Sequence, residues 1–159
     1  MEKTNPRKKS YFFIYLACAV VFALLLRLFI FEFVIISGDS MLPTLHSQEM
    51  IVVTKAFYTP ARGDIIVFHT DMEKNLVKRV IALPGEKLEI KDGVIFVNDQ
   101  ALDTAYQYQG EDDNYPAAIV PEGSYFVMGD NRPNSLDSRI IGTIERNQIL
   151  GKMAFVIWK

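Results

Sequence analysis

The sequence is short of the residues that most often announce a chemistry. It holds one cysteine, Cys18, among 159 residues, so no intramolecular disulfide can form. Cys18 lies inside an apolar run, where it serves as a small apolar side chain. Only two histidines exist, His46 and His69, and neither stands in a triad motif. A Ser–His–Asp arrangement therefore has no clear base. Two histidines and one cysteine in an apolar run also do not supply the three or four ligands of a zinc site, so no metal is expected. Clustered positive charge is missing from most of the chain. Of 17 basic and 19 acidic residues, residues 1–31 take five basic and one acidic, which leaves 12 against 18 for the rest. An acidic body excludes a nucleic-acid surface, which needs Lys and Arg to neutralise phosphates.

What is present begins with a long apolar run. Tyr11 to Leu26 carries no charge, Arg27 interrupts, and Leu28 to Phe31 continues it. A spanning helix needs about 20 mostly apolar residues, and an Arg near one end can snorkel to the interface. Residues 11–31 are therefore expected to form a transmembrane anchor. The preceding Arg7-Lys8-Lys9 cluster makes residues 1–10 a cytoplasmic basic tail and places 32–159 outside as an extracytoplasmic domain, single-pass in the cell membrane. A cleaved signal peptide fits less well, because the run is long and bulky Phe31-Glu32-Phe33 follows it. A buried core helix fits less well, because the run has no polar face.

Beyond the anchor the pattern changes to short apolar runs bounded by Gly, Pro and Asp. Residues 50–53, 65–68, 77–83, 125–128 and 153–158 read as strands. Residues 87–91 and 94–97 flank Asp92-Gly93, the signature of a two-residue hairpin. No long helical period follows residue 40. The expected body is mainly β, an antiparallel sheet structure. The acidic stretch 103–116 reads as a polar loop or small insertion rather than a cation site.

Three segments carry candidate chemistry. Ser40 follows Gly38, whose freedom would let the chain turn sharply and expose the hydroxyl, although a serine there can equally be a plain turn residue. Lys78 lies in Leu76 to Leu83, a strand pattern otherwise nearly all apolar apart from Arg79. A lysine amine is protonated at neutral pH, with a free pKa near 10.4, and becomes a base only when burial lowers that value. Lys78 and Arg79 point to opposite faces of a strand, so either could be the inward one. The third segment, Gly129 to Arg139, is dense in turn formers and charges and reads alone as a rigid polar loop.

Together these segments resemble the type I signal peptidase family, the Ser–Lys peptidases of bacterial export. Ser40-Met41-Leu42-Pro43-Thr44-Leu45 matches its serine motif. Arg62-Gly63-Asp64, Lys78 to Glu86 and Gly129 to Arg139 match three more in the same order. The resemblance implies a Ser40 nucleophile, a neutral Lys78 base, and Ser135 holding the lysine amine. It implies the Ser40 amide as oxyanion donor and Asp137 and Arg139 as shaping residues. Met41, Leu42 and Pro43 would lie at the substrate groove, and Pro43 and Pro84-Gly85 would fix strand ends. No cofactor is implied. The partners implied are preprotein signal peptides with small residues one and three places before the cut, the lipid bilayer and the export machinery. Gly38 stands where some members place a serine as second oxyanion donor. The glycine and the short chain resemble the Gram-positive members, which lack a large accessory insertion.

Three rivals compete. A catalytically dead relative acting as scaffold would have lost Ser40 or Lys78. A self-cleaving repressor has a similar body but a DNA-binding amino end. A penicillin-binding Ser-x-x-Lys acyltransferase needs lysine where Pro43 stands.

Overall fold

The structure, a computed structural model, describes residues 6–70, 74–103 and 114–158, with the side chains of 6–10, 25–28 and 158 outside the description. The described residues form one long helix and eleven strands, with short helical turns between some of them. Helix α1 (Pro6–Ile30) runs straight into β1 (Phe31–Ile35). Its described side chains are exposed large apolar groups such as Phe12, Phe13, Tyr15 and Phe22. Among the described residues no helix is long and apolar enough to cross a membrane.

The other strands are β2 (Met50–Thr54), β3 (Ile65–Thr70), β4 (Lys74–Ala82), β5 (Lys87–Lys91), β6 (Val94–Val97), β7 (Gln100–Ala101), β8 (Tyr115–Ile119), β9 (Ser124–Met128), β10 (Ile144–Glu145) and β11 (Ile149–Trp158). They form a seven-stranded sheet ordered β1-β2-β11-β3-β4-β9-β10 and a four-stranded sheet ordered β7-β6-β5-β8. All the pairings are antiparallel. The mainly β, antiparallel body expected from the sequence is present, behind one N-terminal helix.

The runs read as strands are strands because their apolar residues have a core to face. On β3, Ile65 and Val67 enter one apolar cluster while Ile66 and Phe68 enter another on the opposite face. That double burial explains why the run is continuous rather than alternating. At the β5–β6 hairpin, Asp92 and Gly93 both take positive φ, 49° and 77°. This is the two-residue turn that Asp-Gly favours.

Four strands were not expected: β1, β8 and the two-residue β7 and β10. Residues 33–36 continue the apolar run and gave no boundary of their own, yet β1 pairs with β2 in register from Phe31↔Thr54 to Ile35↔Met50. Strand β8 begins at the end of the stretch read as a polar loop. Tyr115 packs its ring edge-on against Phe126, centroids 5.0 Å apart, which draws this acidic-flanked segment onto the core. The remainder of that stretch, 104–113, lies outside the described residues.

Candidate active site

The serine segment is a single helical turn pinned by its apolar side. Leu45 N–H donates to the Met41 carbonyl at 2.9 Å, and Leu42 N–H to the Asp39 carbonyl at 3.2 Å. Met41 and Leu45 are buried in the cluster with Ile36, Ile51 and Val67. Gly38 enters the turn at φ +88°, a conformation that glycine adopts without strain. Ser40 is thereby presented at the edge of the core.

The alternation on β4 is resolved in favour of Lys78. Its side chain is 2% exposed, and its Nζ donates to Ser40 Oγ at 2.6 Å and to the Val77 carbonyl at 2.9 Å. Burial pushes the amine down from its ordinary 10.5 to about 8, against the opposing pull of Asp137 and Asp130. At neutral pH about a tenth of such lysines is neutral. Arg79 turns to the other face and grips Asp130 with Nε at 2.8 Å and Nη2 at 2.6 Å, with Nη1 on the Gly63 carbonyl. Asp130 also accepts from the Thr44 hydroxyl at 2.5 Å. Arg79 and Asp130 thus lock the lysine strand, the serine turn and the polar loop together.

The loop from Gly129 to Arg139 holds the back of the site. Asn131 N–H donates to the Ser40 carbonyl at 3.0 Å, and its side-chain amide donates to the Asp39 carbonyl at 3.0 Å. A Cβ at Gly129 would meet Ser40 O at 2.5 Å and Ser135 Oγ at 2.2 Å, so only glycine permits this approach. Asp137 is fully buried. It caps the short helix α2 (Ser138–Ile141), accepts from Gly129 N–H at 3.0 Å, and pairs with Arg139 through bonds of 2.9 Å to each oxygen. Burial alone would raise its pKa. The hydrogen bonds from Arg139 and Gly129, the nearby Ser135 hydroxyl and the Arg139 charge more than offset this and hold the carboxyl below its usual range.

Ser135 departs from its expected place. Its Oγ is buried without a hydrogen bond of good geometry, beside Asp137 rather than on the lysine amine. The amine is held instead by Ser40 and the Val77 carbonyl. Gly38 N–H is directed at Ser47 Oγ, 3.4 Å away.

A pocket of about 260 Å³ opens over Ser40 and Lys78. Its walls are Val34 to Ser37 at the end of β1 and Asn75 to Val77 on β4, with Met41 and Val67 also lining it. Met41 lines this pocket. Leu42 and Pro43 are not among the residues that line it. β1 is the outermost strand of its sheet, and β4 meets β9 only from Arg79 onward. Two strand edges therefore border the pocket.

Both histidines are elsewhere. His46 pairs with Glu49 at 3.3 Å and His69 with Asn75 at 3.0 Å. Among the described residues no group of three His, Cys, Asp or Glu is arranged to hold a metal ion. Asn131 and Asp130 were missed as individual site residues. The only signal for them was the Gly-Asp-Asn run itself, since nothing in a sequence couples Asp130 to Arg79 across 51 positions.

Comparison with known proteins gives the family of the chain. Residues 9–158 match the family described as signal peptidase, peptidase S26. The chain is 43% identical over 152 residues to a probable signal peptidase I-1 of Synechocystis sp., covering 88% of this chain and 78% of that protein. It is 41% identical over 155 residues to signal peptidase I S of Bacillus subtilis, covering 88% and 84%. The crystal structure of a signal peptidase I from Enterococcus faecalis V583 superposes with a TM-score of 0.56 at 31% identity, covering 62% of this chain and all of that one. The chain therefore belongs to the signal peptidase family, peptidase S26, and is a serine peptidase of the type I signal peptidase class.

Proposed function

We propose that this enzyme cuts preproteins with Ser40 as nucleophile and Lys78 as general base. The observation that carries this reading is the 2.6 Å approach of Lys78 Nζ to Ser40 Oγ, with the amine buried and its pKa near 8. Neutral Lys78 takes the Ser40 proton as Oγ attacks the scissile carbonyl. The Ser40 amide donates to the oxyanion. The resulting ammonium protonates the leaving amine, and Ser40 is left as an acyl ester. Lys78, neutral again, then takes a proton from a water that hydrolyses the ester and returns it to Ser40. Asp137 and Arg139 hold the loop behind the serine.

The substrate is a signal peptide laid in extended form between the edges of β1 and β4, completing main-chain hydrogen bonds on both sides. The pocket walls of Val34, Ile36, Met41, Val67 and Val77 favour small apolar side chains near the cut. This supports cleavage after small-x-small sites.

The bilayer is the solvent for α1. A helix of 25 residues is about 37 Å long, against a hydrocarbon core of about 30 Å. Its exposed aromatic and aliphatic side chains are costly in water and at home in lipid. The basic residues before it keep the amino end cytoplasmic and the catalytic domain on the far side, where the export machinery delivers preproteins.

The test is cleavage of a preprotein carrying an Ala-x-Ala site by the detergent-purified chain, with Ser40→Ala and Lys78→Ala alongside. The new amino terminus is expected directly after the second Ala, and neither variant is expected to produce it. Equal inactivity of wild type and both variants on several preproteins would favour a scaffold role.

A further inference from the structure

Asp39 stands immediately before Ser40, and the reaction as described gives its side chain no part. Its main chain is fixed. The Asp39 carbonyl accepts from Leu42 N–H at 3.2 Å and from the Asn131 side-chain amide at 3.0 Å, and Asn131 N–H holds the next carbonyl, that of Ser40, at 3.0 Å. The carboxylate is exposed and, among the described residues, has neither a hydrogen bond nor an ion pair. An aspartate in a turn commonly bonds back to its own backbone, and this one does not. Asp130 and Asp137, the carboxylates behind the serine, are each held by an arginine. A positioned negative charge without a counter-charge therefore stands beside the nucleophile.

Its place relative to the pocket says what passes it. From the serine segment, Ser37, Ser40 and Met41 line the pocket, and Gly38 and Asp39 do not. In the reaction proposed above, the residues before the cut fill that pocket and end as the acyl ester on Ser40. The residues after the cut run on past Ser40 and out of the pocket, over the flank that carries Asp39. We propose that Asp39 selects among substrates by the first two residues after the cut, favouring a basic side chain there and disfavouring an acidic one. The inference rests on the reading of Ser40 as nucleophile and deepens it. Apolar walls read the residues before the cut by size, and Asp39 reads those after it by charge. An exposed charge contact is worth about two- to fivefold at low salt, and its reach falls to about 3 Å in 1 M salt.

The experiment uses the full chain in a nonionic detergent, with preproteins identical except for Lys or Glu at the first and second positions after an Ala-x-Ala site. The readout is the ratio of kcat/KM for the Lys substrate to that for the Glu substrate, from which any change in the folded fraction cancels. In wild type the ratio is expected to exceed one several-fold and to fall toward one in 1 M salt. It is expected to approach one in Asp39→Asn and to invert in Asp39→Lys. The same ratio in wild type and both variants overturns the proposal, because the discrimination then comes from elsewhere in the acidic body. A wild-type ratio of one overturns it as well. Ser40→Ala in the same assay separates the two claims. A Ser40→Ala chain that still cleaves overturns the nucleophile reading and this inference with it. Cleavage that needs Ser40 but whose ratio ignores position 39 overturns this inference alone.

Discussion

The Arg79 guanidinium holds both oxygens of Asp130, at 2.8 and 2.6 Å, directly beside Lys78 in the chain. The pair does two things to the site. It joins the lysine strand to the serine turn through Thr44, and it places a carboxylate whose charge pulls the Lys78 pKa upward. In Asp130→Asn that pull is lost and Arg79 loses its counter-charge, so both changes disfavour a second positive charge at Lys78. The acid limb of the kcat/KM–pH profile is expected to move to lower pH while kcat falls. A variant that loses activity with an unmoved limb would show that Asp130 acts through geometry alone.

Lys78 costs the fold stability at neutral pH. Its pKa is about 8 in the folded chain and 10.5 when free, so between those values the unfolded chain binds the extra proton. Folding stability therefore rises with pH across about 8 to 10.5, and below about 8 the full penalty applies. A shift of this size corresponds to about 3 kcal/mol. Lys78→Met is expected to be more stable than wild type at pH 7 by up to about that amount while losing cleavage. Denaturant titrations at pH 7 and pH 10 read this directly, and the gap between the proteins is expected to shrink at the higher pH. A gap that does not change with pH would contradict the burial argument.

Gly129 is required for space rather than for backbone freedom. A methyl group there meets the Ser40 carbonyl at 2.5 Å and Ser135 Oγ at 2.2 Å. Gly129→Ala is expected to push the polar loop off the serine turn and lower stability by about 1–3 kcal/mol. Displacement of a nucleophile by about 1 Å costs on the order of a hundredfold in rate, so kcat is expected to fall at least tenfold in the protein that remains folded. A folded variant with the wild-type kcat would show that the loop does not position Ser40.

Much of this was legible in the sequence, and the limits have physical causes. The strands at residues 50–53, 65–68 and 87–97 declared themselves through apolar runs and an Asp-Gly turn, which are local signals. β1 did not, because an apolar helix followed at once by an apolar strand shows no change of composition at Ile30–Phe31. Ser40 and Lys78 were legible as a pair only through resemblance. On residues alone, Lys78 and Arg79 were equal candidates for burial, and what decides between them is the strand's pairing with β3 and β9. Ser135 was expected on the lysine amine and lies beside Asp137 instead. Asn131, which holds the backbone of the serine turn, had no local signal because its two acceptors are main-chain carbonyls at Asp39 and Ser40.

The central claim is that a buried lysine, and not a histidine, removes the Ser40 proton. The most direct test is the pH dependence of kcat/KM on an Ala-x-Ala preprotein for wild type and for His46→Gln and His69→Gln. Because the base must be neutral, activity is expected to rise tenfold per pH unit and to level near pH 8, the folded pKa of Lys78. Both histidine variants are expected to superpose on the wild-type curve. A limb near pH 6.5 that disappears when either histidine is replaced would contradict the account.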